Sequence, residues 1–233
     1  MKRVLLIAAG LLALATAPGF AADLPVKARP PVAPVEPVWN WNGFYLGVNG
    51  GFGWARSEHV DLLGVTSGTF NQRGGLVGGT VGYNWQLGGA VLGFEGDLDW
   101  AHINGSTACG AFNSCFTDIR AFGTARARLG YAAGMWMPYI TGGAAFADVR
   151  AGQTAFGTTG DNWRTGWTIG GGLEVLFAPR WSAKVEYLYA DFGGSAVSYT
   201  APGVVNVSEK NVNIVRGGIN YHFDWGGPVV ARY

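Results

Sequence analysis

Hydrophobic and polar residues alternate with a period of two along most of the chain beyond residue 43. The clearest stretch is Ala90 to His102. Ala90, Leu92, Phe94, Gly96, Leu98, Trp100 and His102 share one side, mostly apolar, while Glu95, Asp97 and Asp99 occupy the other. Such alternation predicts a β-strand with two unlike faces. The next segment, Ile119 to Tyr131, repeats the pattern with opposite charge. Ile119, Ala121, Gly123, Ala125, Ala127, Leu129 and Tyr131 lie on one side; Arg120, Phe122, Thr124, Arg126 and Arg128 lie on the other. Apolar outer faces around a charged, self-complementary interior are the inversion expected of a barrel in a membrane. A soluble sandwich would turn its charges outward.

Six more segments read as strands. Phe44 to Trp54 carries Phe44, Leu46, Val48, Phe52 and Trp54 on one face. Gly75 to Leu87 has Val77, Val81, Tyr83, Trp85 and Leu87 outward, with Thr80, Asn84 and Gln86 inward. A segment from Trp136 to Val149 has no clear parity. Trp163 to Phe177 places Glu174 inward, Trp181 to Tyr189 places Lys184 and Glu186 inward, and Val215 to Phe223 places Arg216, Asn220 and His222 inward. Gly88-Gly89, residues 132–134 and Ala178-Pro179-Arg180 are expected to be short turns. Residues 55–73, 104–118, 150–162 and 190–210 are expected to be long loops. The expectation is an all-β, eight-stranded, antiparallel, up-and-down transmembrane β-barrel, with long loops at one end and short turns at the other. Aromatic residues support it. Tyr83, Trp85, Tyr131, Trp136, Phe177, Trp181, Tyr221 and Phe223 collect at the turn end; Trp54, Trp100, Trp163, Trp167, Tyr187 and Tyr189 collect toward the loop end. Two girdles are what amphipathic rings form at two lipid–water interfaces.

Composition sharpens this picture. Net charge is +1 and only 13% of residues are charged, which gives no basic patch for a nucleic-acid partner. The mean hydropathy of +0.16 is too low for a bundle of membrane helices but fits strands that are apolar on one side. Residues 1–21 read as a signal peptide. Lys2 and Arg3 precede an apolar run to Ala17, and Gly19-Phe20-Ala21 offers a cleavage site after Ala21. Residues 22–40 are a proline-rich linker, expected to be extended in the periplasm. Residues 41–223 form the barrel and 224–233 a short tail. Export directs the chain to the bacterial outer membrane, with its lipid and lipopolysaccharide as surroundings.

The order of several short motifs resembles the small outer-membrane β-barrel family, in its alphaproteobacterial RopB-like "porin family" branch. The motifs are Ala22-Asp23-Leu24-Pro25, Trp41-Asn42-Gly43-Phe44-Tyr45-Leu46-Gly47, Arg126-Ala127-Arg128-Leu129-Gly130-Tyr131, Pro138-Tyr139-Ile140-Thr141-Gly142-Gly143 and Gly218-Ile219-Asn220-Tyr221-His222-Phe223. The resemblance covers nearly the whole chain and implies an envelope protein without naming an activity. It implies that Gly218, Tyr221 and Phe223 form the assembly signal read by the barrel insertion machinery. Phe223 and Tyr233 both remain available as its terminal aromatic.

The candidate chemistry is structural. The inward set is Glu95, Asp97, Asp99, Glu174 and Glu186 against Arg120, Arg126, Arg128, Lys184 and Arg216, five of each sign. Turn placement sets Glu174 opposite Lys184, and Glu95 near Arg126 with Arg128 on the diagonal. Such neighbours lie about 5 Å apart, within ion-pair reach. Inward glycines are expected to leave room for neighbouring Arg and Tyr side chains. Cys109 and Cys115 fall in one exported loop, where an oxidising compartment favours a disulfide; no nearby His completes a zinc site. His102 and Ser106 are the one local pair that suggests catalysis, and no acidic orienter accompanies them. No cofactor, no metal and no enzymatic activity are expected. The expected function is a structural envelope barrel with a side-chain-filled lumen and outward loops. The alternatives are a narrow, low-conductance pore and a soluble, exported ligand-binding barrel.

Overall fold

A computed structural model describes residues 39–60, 66–108, 114–153, 158–193, 196–201 and 203–223. The strands are β1 (Gly43–Val60), β2 (Thr66–Leu87), β3 (Ala90–Ala108), β4 (Ser114–Tyr131), β5 (Trp136–Gln153), β6 (Thr158–Ala178), β7 (Trp181–Asp191), β8 (Ala196–Ala201) and β9 (Gly203–Phe223). Strands β1 to β7 pair in order, β7 pairs with β9, and β9 closes on β1 from Phe44↔Phe223 to Val60↔Asn206. Every pairing is antiparallel, so eight strands make a closed wall with no free edge. Strand β8 stands outside that count. It is a six-residue strand that pairs with the start of β9.

The outward face is the apolar one, as the alternation predicts. Val48, Val77, Phe94, Leu98, Ile140, Ile169, Val185 and Ile219 are all exposed. A soluble protein does not tolerate so continuous an apolar surface; a barrel in lipid requires it. Rings border this band. Tyr83–Trp85 and Trp181–Tyr221 are in contact at 4.5 and 5.1 Å at the turn end, and Trp54–Tyr187 and Trp167–Tyr189 at 6.5 and 5.6 Å at the other.

The expected long loops are largely strand. Strand β1 continues to Val60 and β2 starts at Thr66; β3 continues to Ala108 and β4 starts at Ser114. A tilted strand of about 20 residues rises roughly 50 Å, twice the ~25 Å apolar band. The hairpins therefore extend past the lipid. Beyond it the outward face meets water, so Arg56, Asn71, Arg73 and Asn104 replace the apolar residues. The hydrophobic alternation disappears there although the hydrogen-bonded ladder goes on.

The turn end follows the expected chemistry. Gly88, at φ +64°, supplies the left-handed residue of the two-residue turn between β2 and β3. Pro138 lies two residues into β5, where a missing N–H is tolerated. Strand β5, ambiguous in the sequence, turns Met137, Tyr139, Thr141, Ala145, Ala147 and Val149 inward.

Candidate functional site: the filled lumen

The lumen is filled in three layers. At the turn end Trp41, Val91, Met137 and Leu176 form an apolar floor, with Trp39 and Ala132 packed against it. Trp41 is pinned by its backbone N–H donating to Gln86 Oε1 (2.9 Å) and its indole N–H donating to the Gly134 carbonyl (3.2 Å). At the loop end Leu76, Ile103, Ile119, Phe122, Val149, Leu188, Phe192 and Ile214 belong to a second apolar cluster. Between the two lies the charge network, to which all eight wall strands contribute.

Arg126 on β4 is the hub. Its Nη1 donates to Glu186 Oε2 (2.8 Å), and its Nη2 to Asp97 Oδ2 (2.7 Å) and to Glu95. Arg216 on β9 approaches from the other side, donating to Asp99 (3.0 Å) and Glu186 (3.0 Å) and pairing with Asp97 (2.9 Å). Arg128 donates to Glu174 Oε2 (2.6 Å) and to the Tyr45 hydroxyl (2.9 Å), which in turn donates to Glu95 (2.8 Å). The Arg128 guanidinium also lies 4.1 Å from the Tyr139 ring centroid and 5.6 Å from that of Tyr45, a cation–π geometry. Thr80 and Thr124 complete Asp97 with hydroxyl hydrogen bonds of 2.7 Å each. Charges this buried persist only when their lone pairs and protons are satisfied.

Glycines make the space. A Cβ on Gly82 would lie 2.3 Å from the Tyr45 ring, and one on Gly172 would lie 2.8 Å from the Tyr139 hydroxyl. These two inward glycines are where the aromatic partners of Arg128 fit, as the sequence suggested.

The register agrees with the expectation: Glu174 faces Lys184, Glu95 faces Arg126, and Arg128 sits two residues on. Side-chain reach then rearranges the partners. The Lys184 ammonium crosses the lumen to Glu95 (2.8 Å). Glu174 is held by Arg128, Ser182 (2.5 Å) and Asn220 (2.7 Å).

Arg120 is a correction. It was expected in the lumen but lies at the rim, 41% exposed, paired with Asp148 at 3.0 Å. The cause is a β-bulge. Ile119 pairs with Val149 and Ala121 with Asp148, which leaves Arg120 as the extra residue on β4. One extra residue reverses every side chain beyond it. Ile119 therefore points inward, opposite to the expectation, and so does Thr117, in a stretch expected to be loop. An inward cation that the sequence reading passed over is Arg164, 4% exposed on β6. It occupies the same parity as Glu174, so counting in twos along β6 would have found it.

Two constellations suggest catalysis and have the wrong geometry. His102 and Ser106 are four residues apart on one extended strand, roughly 13 Å, and His102 contacts Asn104 at 3.0 Å. Ser182, His222 and Glu174 do meet, with Ser182 Oγ 2.9 Å from His222 Nε2. Ser182 donates its proton to Glu174, so His222 Nε2 must donate to Ser182. A nucleophile–base pair needs the reverse, with the carboxylate on the far ring nitrogen. All three side chains are buried, and the His222 ring packs against those of Trp41 and Tyr45.

The closed β-strand wall agrees with what the chain resembles. The family model described as "Outer membrane protein beta-barrel domain" matches residues 7–223. The chain belongs to this family. Among curated relatives, a 31 kDa outer-membrane immunogenic protein of Brucella melitensis is 36% identical, covering 96% of this chain and 100% of the relative. A 25 kDa outer-membrane immunogenic protein of Brucella abortus is 31% identical over 96% of this chain and 99% of its own length. A 22 kDa outer membrane protein of Rhizobium leguminosarum is 32% identical over 69% of this chain and 68% of its own. Among solved structures, the outer membrane protein OprG of Pseudomonas aeruginosa superposes with a TM-score of 0.50 at 14% identity, covering 78% of this chain and 98% of that one. That likeness concerns the fold alone. The protein is an outer-membrane β-barrel, and the wall strands β1 to β7 and β9 are its membrane-crossing elements.

Proposed function

We propose that this outer-membrane barrel is a structural component of the bacterial envelope, closed to solute passage, whose hairpins present surface to the exterior. The observation that carries this reading is the filling of the lumen: apolar floor, charge network, apolar ceiling. An eight-stranded barrel has an interior just wide enough for side chains, and here they meet across it. Planar bilayers containing the folded protein should show no steady conductance steps. Ohmic, porin-like steps would replace this reading with the narrow pore. A soluble ligand-binding barrel would need an open apolar interior, where this chain places Arg126, Arg128, Lys184 and Arg216.

Two further parts of the reading concern assembly and covalent bracing. Tyr221 and Phe223 pack edge-on at 5.0 Å at the turn end of β9, and Phe223 lies 5.6 Å from Phe44 where the barrel closes. With Gly218 they serve as the signal for the barrel insertion machinery. Phe223→Ala should lower the yield of folded, heat-modifiable protein in outer-membrane fractions, and removal of residues 224–233 should not; the opposite result would assign the role to Tyr233. Cys109 lies outside the described residues, and of Cys115 only the backbone is described, paired with Thr107. A Cys109–Cys115 disulfide is proposed from the exporting compartment. It should appear as a linked peptide by mass spectrometry without reductant, whereas alkylation of both thiols in unreduced protein would rule it out.

A further inference from the structure

Beyond the lipid band the β3–β4 hairpin carries a pocket of about 330 Å³, lined by Asn104, Gly105, Ser106, Phe116, Thr117 and Asp118. The register explains how it forms. Asn104 stands opposite Asp118, and Ser106 stands opposite Phe116. Facing residues of such pairs lie about 5 Å apart, and successive pairs on one face are about 7 Å apart along the strand. These four side chains therefore mark out a patch with the dimensions of one pyranose ring. The bulge at Arg120 places them outside. Without that extra residue, Phe116 and Asp118 would share the inward parity of Phe122.

The chemistry of the patch is that of a hydroxyl-rich ligand. Asp118 Oδ1 is shielded from solvent and has no hydrogen-bond partner among the described residues. A shielded acceptor without a donor costs free energy, so the pocket favours a ligand that brings one. Asn104 is oriented by its Nδ2 contact with His102 Nε2 at 3.0 Å, which leaves its carbonyl oxygen to accept. The exposed Ser106 hydroxyl both donates and accepts. Phe116 is half-buried and supplies an apolar wall, and Gly152, opposite it on β5, adds no side chain beside the ring. Charge narrows the choice further. The Asp118 carboxylate repels an anion. Arg150, opposite Asp118 on β5, and Arg73, opposite Asn104 on β2, repel a cation. What fits is a neutral polyol with one apolar face.

We propose that this pocket binds a neutral hexopyranose unit of a surface polysaccharide. Asp118 accepts hydrogen bonds from two neighbouring hydroxyls of the sugar, a charge-assisted arrangement. Asn104 and Ser106 hold a third hydroxyl, and the Phe116 ring packs against the C–H face of the pyranose. The β3–β4 hairpin is then a carbohydrate-adhesion element on a barrel whose lumen is closed. The proposal rests on the reading that the long hairpins face the exterior.

The test is a titration of the full-length folded protein in amine-oxide micelles, which carry no sugar, with the methyl glycosides of glucose, galactose and mannose. At least one should bind with a dissociation constant on the order of 1 mM, as expected for so small a ligand. Asp118→Asn should weaken that binding about tenfold or more, and Phe116→Ala about fivefold. Arg180→Gln, at the turn end, should bind as the wild type does. Absence of binding by all three glycosides, or unchanged affinity in both pocket variants, overturns the site. Glucuronate or choline binding as tightly as the glycoside overturns the neutral-sugar assignment. Intact cells displaying the wild type should adhere to beads coated with oligomers of the bound hexose, and cells displaying Asp118→Asn should not. Binding of the free glycoside without that adhesion overturns the surface-polysaccharide assignment and leaves a soluble sugar as the ligand. Retained heat-modifiable mobility in each variant separates a folding defect from a binding defect. An epitope inserted within residues 61–65 should be detected on intact cells, and its absence there would overturn the orientation instead.

Discussion

Arg216→Met should destabilise the barrel by about 3–5 kcal/mol, the usual cost of removing one partner from a buried ionic group. Its guanidinium touches Asp97, Asp99 and Glu186, and the methionine would leave three buried carboxylates short of positive charge. Asp99 loses most, since its Oδ2 accepts from Arg216 Nη1 at 3.0 Å while Asp97 keeps Arg126 and two threonine hydroxyls. Adding Asp99→Asn should therefore recover part of the loss. The measurement is a double-mutant cycle on urea unfolding in detergent or lipid, followed by the mobility difference between folded and unfolded protein. Zero coupling between the two positions would show that the network does not hold the interior together. The same logic applies to Lys184 with Glu95, whose contact crosses the lumen. The facing pair Glu174 and Lys184 should couple more weakly, because Glu174 also has Arg128, Ser182 and Asn220.

Val48→Arg should cost about 2–4 kcal/mol, the penalty for a cation on the lipid face near mid-membrane. Val48 points outward, 66% exposed, and lies between Phe44 of one girdle and Trp54 of the other on β1. Asn71→Arg, outward but beyond the girdle, should cost nothing measurable by the same depth dependence. The pair is measured by folding into vesicles, where position relative to the bilayer is the only large difference between the two substitutions. Equal effects would show that the apolar band is not buried in lipid.

Much of this was readable from alternation alone. Glu95, Asp97 and Asp99 on β3 and Arg126 and Arg128 on β4 share the lumen because every second residue shares a face, and the short turns set which ones meet. Three features were not readable. The bulge at Arg120 was hidden because neither Ile119 nor Ala121 signals an extra residue, yet one insertion reversed the parity of the strand beyond it. Parity of β5 was hidden because Thr, Gly and Ala tolerate both faces, until Tyr139 found Arg128. The outer hairpins passed for loops because their outward residues meet water.

The sequence by itself determined the strands within the lipid band, the inward and outward sets there, and the turn-end register. The physical reason is that lipid on one side and a narrow interior on the other impose opposite requirements on consecutive residues. Only the tertiary structure decided which charges pair, since Lys184 and Glu95 are far apart along the chain and meet across the lumen. It also decided that apolar clusters lie at both ends of the charge layer. Trp41 reaches the floor and Phe192 the ceiling from just outside the strands, where no period-two pattern exists to point them inward.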